Sequence, residues 1–245
     1  VFRTEYDVLH RPLKTFVQRG ANAEICVAKT IYGESLPVLF TSWTWAQVLA
    51  ANLRGQAYQS FDQSGVMTTG NIDFKGNPLL MQRQLVQNYS TTIDWNLHQT
   101  METDRFETST TYDALNRPKL TVLPDQTKLV PTYNEGAYLE NLSAQIMGTG
   151  DWIDFLKEQD YDAKGQRQYV KYGNGVITRF FYDAKTFRLN NLLTTHSNND
   201  TLQDLQYTYD PVGNIMEVKD RAQSTFYYNN EAISPLKQYE YDALY

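Results

Sequence analysis

The chain has 245 residues, 41% of them hydrophobic, with 22 Lys and Arg against 28 Asp and Glu, for a formal net charge of −6. That length allows one large domain or two small ones, and the acidic balance argues against nucleic acid or an anionic membrane as partner. The single cysteine, Cys26, excludes an intrachain disulfide and a thiolate-based zinc site. No apolar run approaches the roughly 20 residues a membrane helix requires, so no direct membrane insertion is expected. No basic stretch followed by an apolar one opens the chain, so no signal peptide is visible. The chain begins at Val1, as a processed product or an excerpt of a longer polypeptide would. Eighteen Tyr, 11 Phe and 4 Trp, with abundant Asn and Asp for turns, predict an all-β fold.

Taken in chain order, the elements are organised by a repeated dipeptide. Tyr-Asp occurs at Tyr6-Asp7, Tyr112-Asp113, Tyr161-Asp162, Tyr182-Asp183, Tyr209-Asp210 and Tyr241-Asp242, where the composition alone would produce roughly one. Phe61-Asp62 continues the series by an aromatic swap, and Ile72-Asp73 more weakly. Glycine follows three residues after the aspartate at Gly65, Gly76, Gly165 and Gly213, with His10 and Asn116 in that place elsewhere. A type I turn needs this spacing: the first-position carboxylate accepts backbone N–H groups, and the fourth residue takes the left-handed conformation. Such a turn joins antiparallel strands through a G1 bulge. Each unit therefore reads as strand, Asp-capped turn, strand.

Between these turns lie segments of other character. Trp43 and Trp45 with Ala46 to Asn52 suit a short amphipathic helix or a strand, with core packing as the role of the aromatics. Residues 83–108 lack alternation and predict an insert or long loop. Residues 151–162 carry Asp151, Asp154, Glu158, Asp160 and Asp162. Their simplest reading is a strand with Ile153, Phe155, Lys157, Gln159 and Tyr161 on one face and a solvated acidic face opposite. A glycosidase would instead pair two of these carboxylates. Asn174-Gly175 is a strong two-residue hairpin signal with positive φ at both positions. It predicts the pairs Tyr172–Ile177 and Val170–Arg179, with Tyr169 and Phe180 on one face and Tyr172 and Phe181 on the other. The turn after Tyr182-Asp183 has an extra residue and no glycine, so it is longer or bulged.

Site chemistry is sparse. His10, His98 and His196 are dispersed, without metal-ligand spacing. No Gly-x-Ser-x-Gly elbow or phosphate loop occurs, and Cys26 reads as a buried structural thiol. No catalytic, cofactor or metal residues are assigned, and no cofactor is expected.

At these residues the chain resembles the RHS/YD-repeat proteins, whose unit reads roughly Tyr-x-Tyr-Asp-x-x-Gly-Arg-Leu. Residues 52–58, 61–66, 73–78, 172–176, 202–214 and 239–245 are similar to the N-terminal half of the C component of bacterial Tc insecticidal toxin complexes, and to RHS regions fused to SpvB-like and Tc B-like sequences. The resemblance covers residues 1–245 as one region. It implies a spiralling, hollow β-sheet shell that encapsulates a C-terminal toxin, secreted within a toxin complex and partnered by the rest of the shell or a Tc B-like component. It further implies that the family's autoprotease and toxin lie beyond residue 245, leaving this segment non-enzymatic. The alternative is an extracellular adhesion or glycan-binding module similar to the YD shell of teneurins.

Overall fold

Runs rich in Thr, Tyr, Val and Leu, each closed by Asp, Asn or Gly, favour extended backbone between tight reversals. A computed structural model describes residues 1–242, in which nineteen strands are joined by turns and two short helices. The chain divides into two units, residues 1–128 and residue 129 onward.

The first unit is an antiparallel meander of β1 (Phe2–Tyr6), β2 (Pro12–Val17), β3 (Ile25–Tyr32), β4 (Ala57–Asp62), β5 (Gly65–Ile72), β6 (Pro78–Val86), β7 (Met101–Tyr112) and β8 (Pro118–Val122). Each strand pairs with the next. Two excursions cover one sheet face. Between β3 and β4 lie α1 (Leu36–Leu39) and α2 (Trp45–Ala50). The second helix starts in a capping box, in which the Thr44 hydroxyl accepts from the Gln47 N–H and the Gln47 side chain accepts from the Thr44 N–H. The helices bury Leu36, Val48 and Leu53 against Ile31 and Ile72, and Trp43 packs edge-on to Tyr58 at 5.3 Å. The amphipathic segment is thus a helix, with Trp43 in the core and Trp45 half exposed.

Of the 83–108 segment, residues 83–86 and 101–108 are strand and 87–100 form the connection. That connection folds back over the sheet. Ile93 and Trp95 join Phe16, Cys26, Val66 and Val86 in a second core, with Trp95 4.9 Å from Phe61. Polar pins hold it: the Trp95 indole N–H donates to the Asp62 carbonyl at 3.0 Å, and Gln63 both accepts from the Ile93 N–H and donates to the Ile93 carbonyl.

The second unit takes β9 (Lys128–Tyr133), which begins at its boundary, and β10 (Leu139–Gln145), β11 (Ile153–Tyr161), β12 (Arg167–Tyr172), β13 (Ile177–Tyr182), β14 (Leu189–Thr195), β15 (Thr201–Tyr209), β16 (Ile215–Asp220) and β19 (Leu236–Gln238). From β10 to β16 consecutive strands pair antiparallel, and β19 then pairs with β16. The short ribbon of β17 (Phe226–Tyr228) and β18 (Glu231–Ile233) forms a separate two-stranded sheet. Among the described residues of the second unit the buried side chains are few: Ala144, Leu156, Gln159, Val170 and Thr178. The backbone ladder, more than a packed core, holds this unit together.

Two sequence expectations are corrected here. The 151–162 strand exists, but a bulge between Leu156 and Glu158 switches its faces. Ile153, Phe155 and Lys157 are exposed, whereas Leu156 and then Gln159 point inward. An inserted residue shifts the period-2 alternation by one, so one stripe cannot run the length of the strand. The 172–176 hairpin is also one residue out of the expected register, pairing Lys171 with Ile177 and Tyr169 with Arg179. Its turn runs Tyr172-Gly173-Asn174-Gly175, with the Gly175 N–H donating to the Tyr172 carbonyl and only Gly175 at positive φ (84°). Phe180 consequently shares the face of buried Val170 and Thr178, and Phe181 that of Tyr169.

Candidate functional site

The recurring local structure is one turn built many times. At Asp7, Asp73, Asp113, Asp162 and Asp210 the aspartate N–H donates to the carbonyl four residues on, and its carbonyl accepts from the N–H three residues on. The fourth turn residue is left-handed in each: His10 (φ 60°), Gly76 (93°), Asn116 (64°), Gly165 (77°) and Gly213 (115°). One carboxylate oxygen then caps the loop, as where Asp113 Oδ1 accepts from the Leu115 and Arg117 N–H groups at 2.8 and 2.9 Å. Where residue five is Arg or Asn, its side chain grips the other oxygen: Arg11 on Asp7, Asn77 on Asp73, Arg117 on Asp113 and Asn214 on Asp210.

These bonds favour the ionised form. The Arg11 and Arg117 backbone N–H groups are the main cause holding Asp7 and Asp113 below the ordinary aspartate range, against an opposing desolvation. The Asn77 side chain does the same for Asp73. At Asp210 desolvation works upward and is outweighed by the Asn214 and Gly213 donors.

The residue before the turn supplies the link between neighbours. The Tyr112 hydroxyl donates to the Pro78 carbonyl, Tyr161 to Leu139, Tyr182 to Arg167, Tyr209 to Leu189 and Tyr241 to Ile215, at 2.7–3.2 Å. In each case the acceptor lies just past the preceding turn, in the returning strand. Tyr32 does likewise to Pro12 at 3.2 Å. A phenol is long enough to span one hairpin and carries a donor at its tip, which phenylalanine lacks. Within each unit these turns fall along one sheet edge; in the second they are tied one to the next, whereas in the first Ile72 stands where a tyrosine would link the Asp73 turn to its predecessor.

The structure separates some predicted members from this row. Phe61, Asp62 and Gly65 form a two-residue hairpin at the opposite edge of the first unit, with Asp62 paired directly to Gly65 (φ 148°). There Asp62 caps Ser64 and Gly65 and pairs with Arg83, the main cause of its lowered pKa. The dipeptide alone does not reveal which edge a strand is approaching. Asn174 and Gly175 also lie at an opposite-edge turn, in the second unit. Ile72-Asp73, weakest in sequence, has the common turn geometry. Asp183 closes over a longer reversal, as its extra residue demands: the Phe187 N–H donates to the Asp183 carbonyl at 2.8 Å, with Phe187 at φ 59°. Tyr6 is exposed at the end of β1. Tyr241 and Asp242 are described, but the turn expected after them falls on residues 243–245, outside the described residues.

Sequence reasoning missed Tyr32 and the turn after Tyr133. Asn134 has the same backbone pattern as the aspartate turns, its Oδ1 accepting from the Tyr138 N–H, with Ala137 at φ 64°. Tyr-Asn in place of Tyr-Asp was the available signal, since the two side chains share the capping oxygen.

The remaining chemical candidates stay apart. Asp154 accepts from Ser143 Oγ at 2.7 Å, whereas Glu158 and Asp160 are exposed beyond the bulge. His98 lies in the 87–100 connection and His196 opens an exposed turn beside Ser197. Cys26 is buried with its thiol donating to the Ala28 carbonyl, and burial pushes its pKa up. Among the described residues no three His, Cys, Asp or Glu side chains gather as metal ligands would.

No protein-family model matches the chain. Toxin subunit YenC2 of Yersinia entomophaga is 29% identical over 250 residues, covering 96% of this chain. Toxin subunit YenC1 of the same organism is 30% identical over 209 residues, covering 80%. The chain spans only 25% and 21% of those relatives' lengths. The crystal structure of TcdB2-TccC3 matches all of this chain and 12% of its own at TM-score 0.75 and 25% identity. A Photorhabdus luminescens Tc holotoxin pore matches equally well over 11% of its chain. The chain is a homologue of Tc toxin subunits, and its strands and turns resemble part of the RHS-containing C component of a Tc toxin complex.

Proposed function

We propose that this chain is a structural segment of an RHS-type β-shell that encloses and shields a toxin carried further along the same polypeptide. Its partners are then the rest of that shell, a Tc B-like component and the enclosed cargo, and it works outside the producing cell within a secreted toxin complex. The turn residues serve as joints rather than reactive groups, and the segment contributes no catalysis of its own. The observation that carries this reading is the row of turns in which a tyrosine hydroxyl joins one hairpin to the next. The similarity to toxin subunits and to TcdB2-TccC3 supports the same reading. A sheet whose strands pair in succession satisfies its own backbone and leaves few unpaired edges for another chain to join.

The test is limited proteolysis of the full polypeptide, wild type and with Tyr112, Tyr182 and Tyr209 changed to Phe. The C-terminal passenger is expected to resist protease in the wild type and to become cleavable in the triple variant. A passenger as sensitive within the intact polypeptide as after excision overturns the shell. Saturable glycan binding with an unprotected passenger would favour adhesion instead.

A further inference from the structure

Strands β2 and β3 place Lys14 directly opposite Lys29, and Lys29 directly opposite Phe61 on β4. Paired residues share a sheet face, so both lysines project from the face that the two excursions cover. Like charges directly opposite one another disfavour a sheet, and in a chain of net charge −6 acidic partners are plentiful. Yet neither lysine forms an ion pair among the described residues. Lys14 Nζ donates to the neutral Asn96 Oδ1 at 3.0 Å, and Lys29 Nζ sits 5.4 Å from the Phe61 ring centre. The nearby Glu34 is turned to Arg11 through Oε1 at 3.2 Å.

The two excursions cover separate cores. The helical one covers the core at Leu36, Val48 and Leu53, and the 87–100 connection covers the core at Ile93 and Trp95. Beside the helical cover an open trough of about 510 Å³ remains, lined by Lys14, Lys29, Ile31 and Glu34 and flanked by Val38 and Leu39. Val38 is 83% exposed and Leu39 55%. Glu34 in the same lining is engaged by Arg11 through Oε1, with Oε2 buried and unpartnered, so the cationic character comes from the two lysines; with the apolar wall they match an extended peptide with a carboxylate between aliphatic residues.

We propose that this trough docks an acidic, aliphatic-flanked segment of polypeptide from outside these 245 residues, its carboxylate seated between Lys14 and Lys29. The charge complementarity assigns the occupant. This proposal does not depend on the shell reading, since it concerns one face of the first unit.

The probe is a fluorescein-labelled peptide, Gly-Leu-Val-Asp-Leu-Glu-Val-Leu-Gly, titrated with the 245-residue chain by fluorescence anisotropy at low salt. Saturable binding is expected, weakened roughly tenfold by the Lys14→Gln, Lys29→Gln double variant, by the Asn/Gln version of the peptide, or by raised salt. Relieving like-charge repulsion leaves the double variant at least as heat-stable as wild type, so lost binding there is not lost folding. Val38→Asp, at an exposed position, provides a second variant and should repel the same peptide. No binding up to millimolar concentration, or equal binding by wild type and both variants, overturns the proposal. So does competition by inorganic phosphate as strong as by the peptide, which would make the lysines a simple anion site.

Discussion

The most direct test of the turn row removes one hydroxyl. Tyr209 donates to the Leu189 carbonyl at 2.7 Å, while its ring stacks near Tyr207 at 6.5 Å and beneath the Arg188 guanidinium at 5.6 Å. Burial pushes its phenol pKa up, so it stays protonated and donating at neutral pH. Tyr209→Phe keeps the ring and deletes only the donor. Losing one such bond costs about 1 kcal/mol net, which lowers Tm by about 2–4 °C in a domain of 150–250 residues. The hydroxyls of Tyr112, Tyr182 and Tyr209 bond three different carbonyls. Tyr112 lies in the first unit and should add independently, whereas Tyr182 pairs directly with Leu189, the acceptor of Tyr209, so the triple Phe variant should lose about 2–3 kcal/mol. The control is Tyr227→Phe on the 79% exposed ribbon residue, where no shift is expected. Thermal and urea unfolding followed by circular dichroism measure all of these. A triple variant that melts with the control would show that the rings pack but the hydroxyl links hold nothing.

Acid should loosen the turns. Asp7, Asp73, Asp113 and Asp210 have lowered pKa values, so the folded chain binds fewer protons than the unfolded one as pH falls. Their contribution is complete above the unfolded pKa and lost through the depressed folded pKa; urea midpoints should drop below about pH 4, and midpoints flat from neutral to strongly acid pH would contradict this. Ala137→Gly relieves a left-handed alanine at φ 64° and should stabilise by about 1 kcal/mol, read as a raised urea midpoint. Leu53→Ala empties a fully buried position under the helical excursion and should cost about 3 kcal/mol, with unfolding again the measure. Gly33→Ala drives a methyl group into the Leu53 backbone and should destabilise by about 2 kcal/mol; an unchanged melt would mean that the 33–56 connection moves freely.

Strand content and the Asp-capped turns were legible in the residues themselves. The turns depend on interactions spanning four or five positions: a carboxylate reaching its own turn, a fourth residue tolerating positive φ, an aromatic just before. Even the longer reversal at Asp183 could be read, because one extra residue must go somewhere. The Thr44–Gln47 capping box and the Asn134 turn are equally local, each a side chain bonding backbone three or four residues away.

What required tertiary structure was every feature depending on a neighbour distant in sequence. Which edge Phe61-Asp62 faces depends on counting strands, since a dipeptide is the same at either end of a hairpin. The bulge at Leu156/Glu158 and the one-residue register difference at Lys171/Ile177 arise from pairing with adjacent strands, and each reverses the faces that alternation predicts. The destination of each tyrosine hydroxyl lies 15 to 34 residues away, and the Lys14–Lys29 pair exists only because β2 lies beside β3. Local chemistry determined the bends; long-range register decided what they touch, because a strand pair gains its hydrogen bonds in more than one alignment and only side-chain burial across the sheet selects among them.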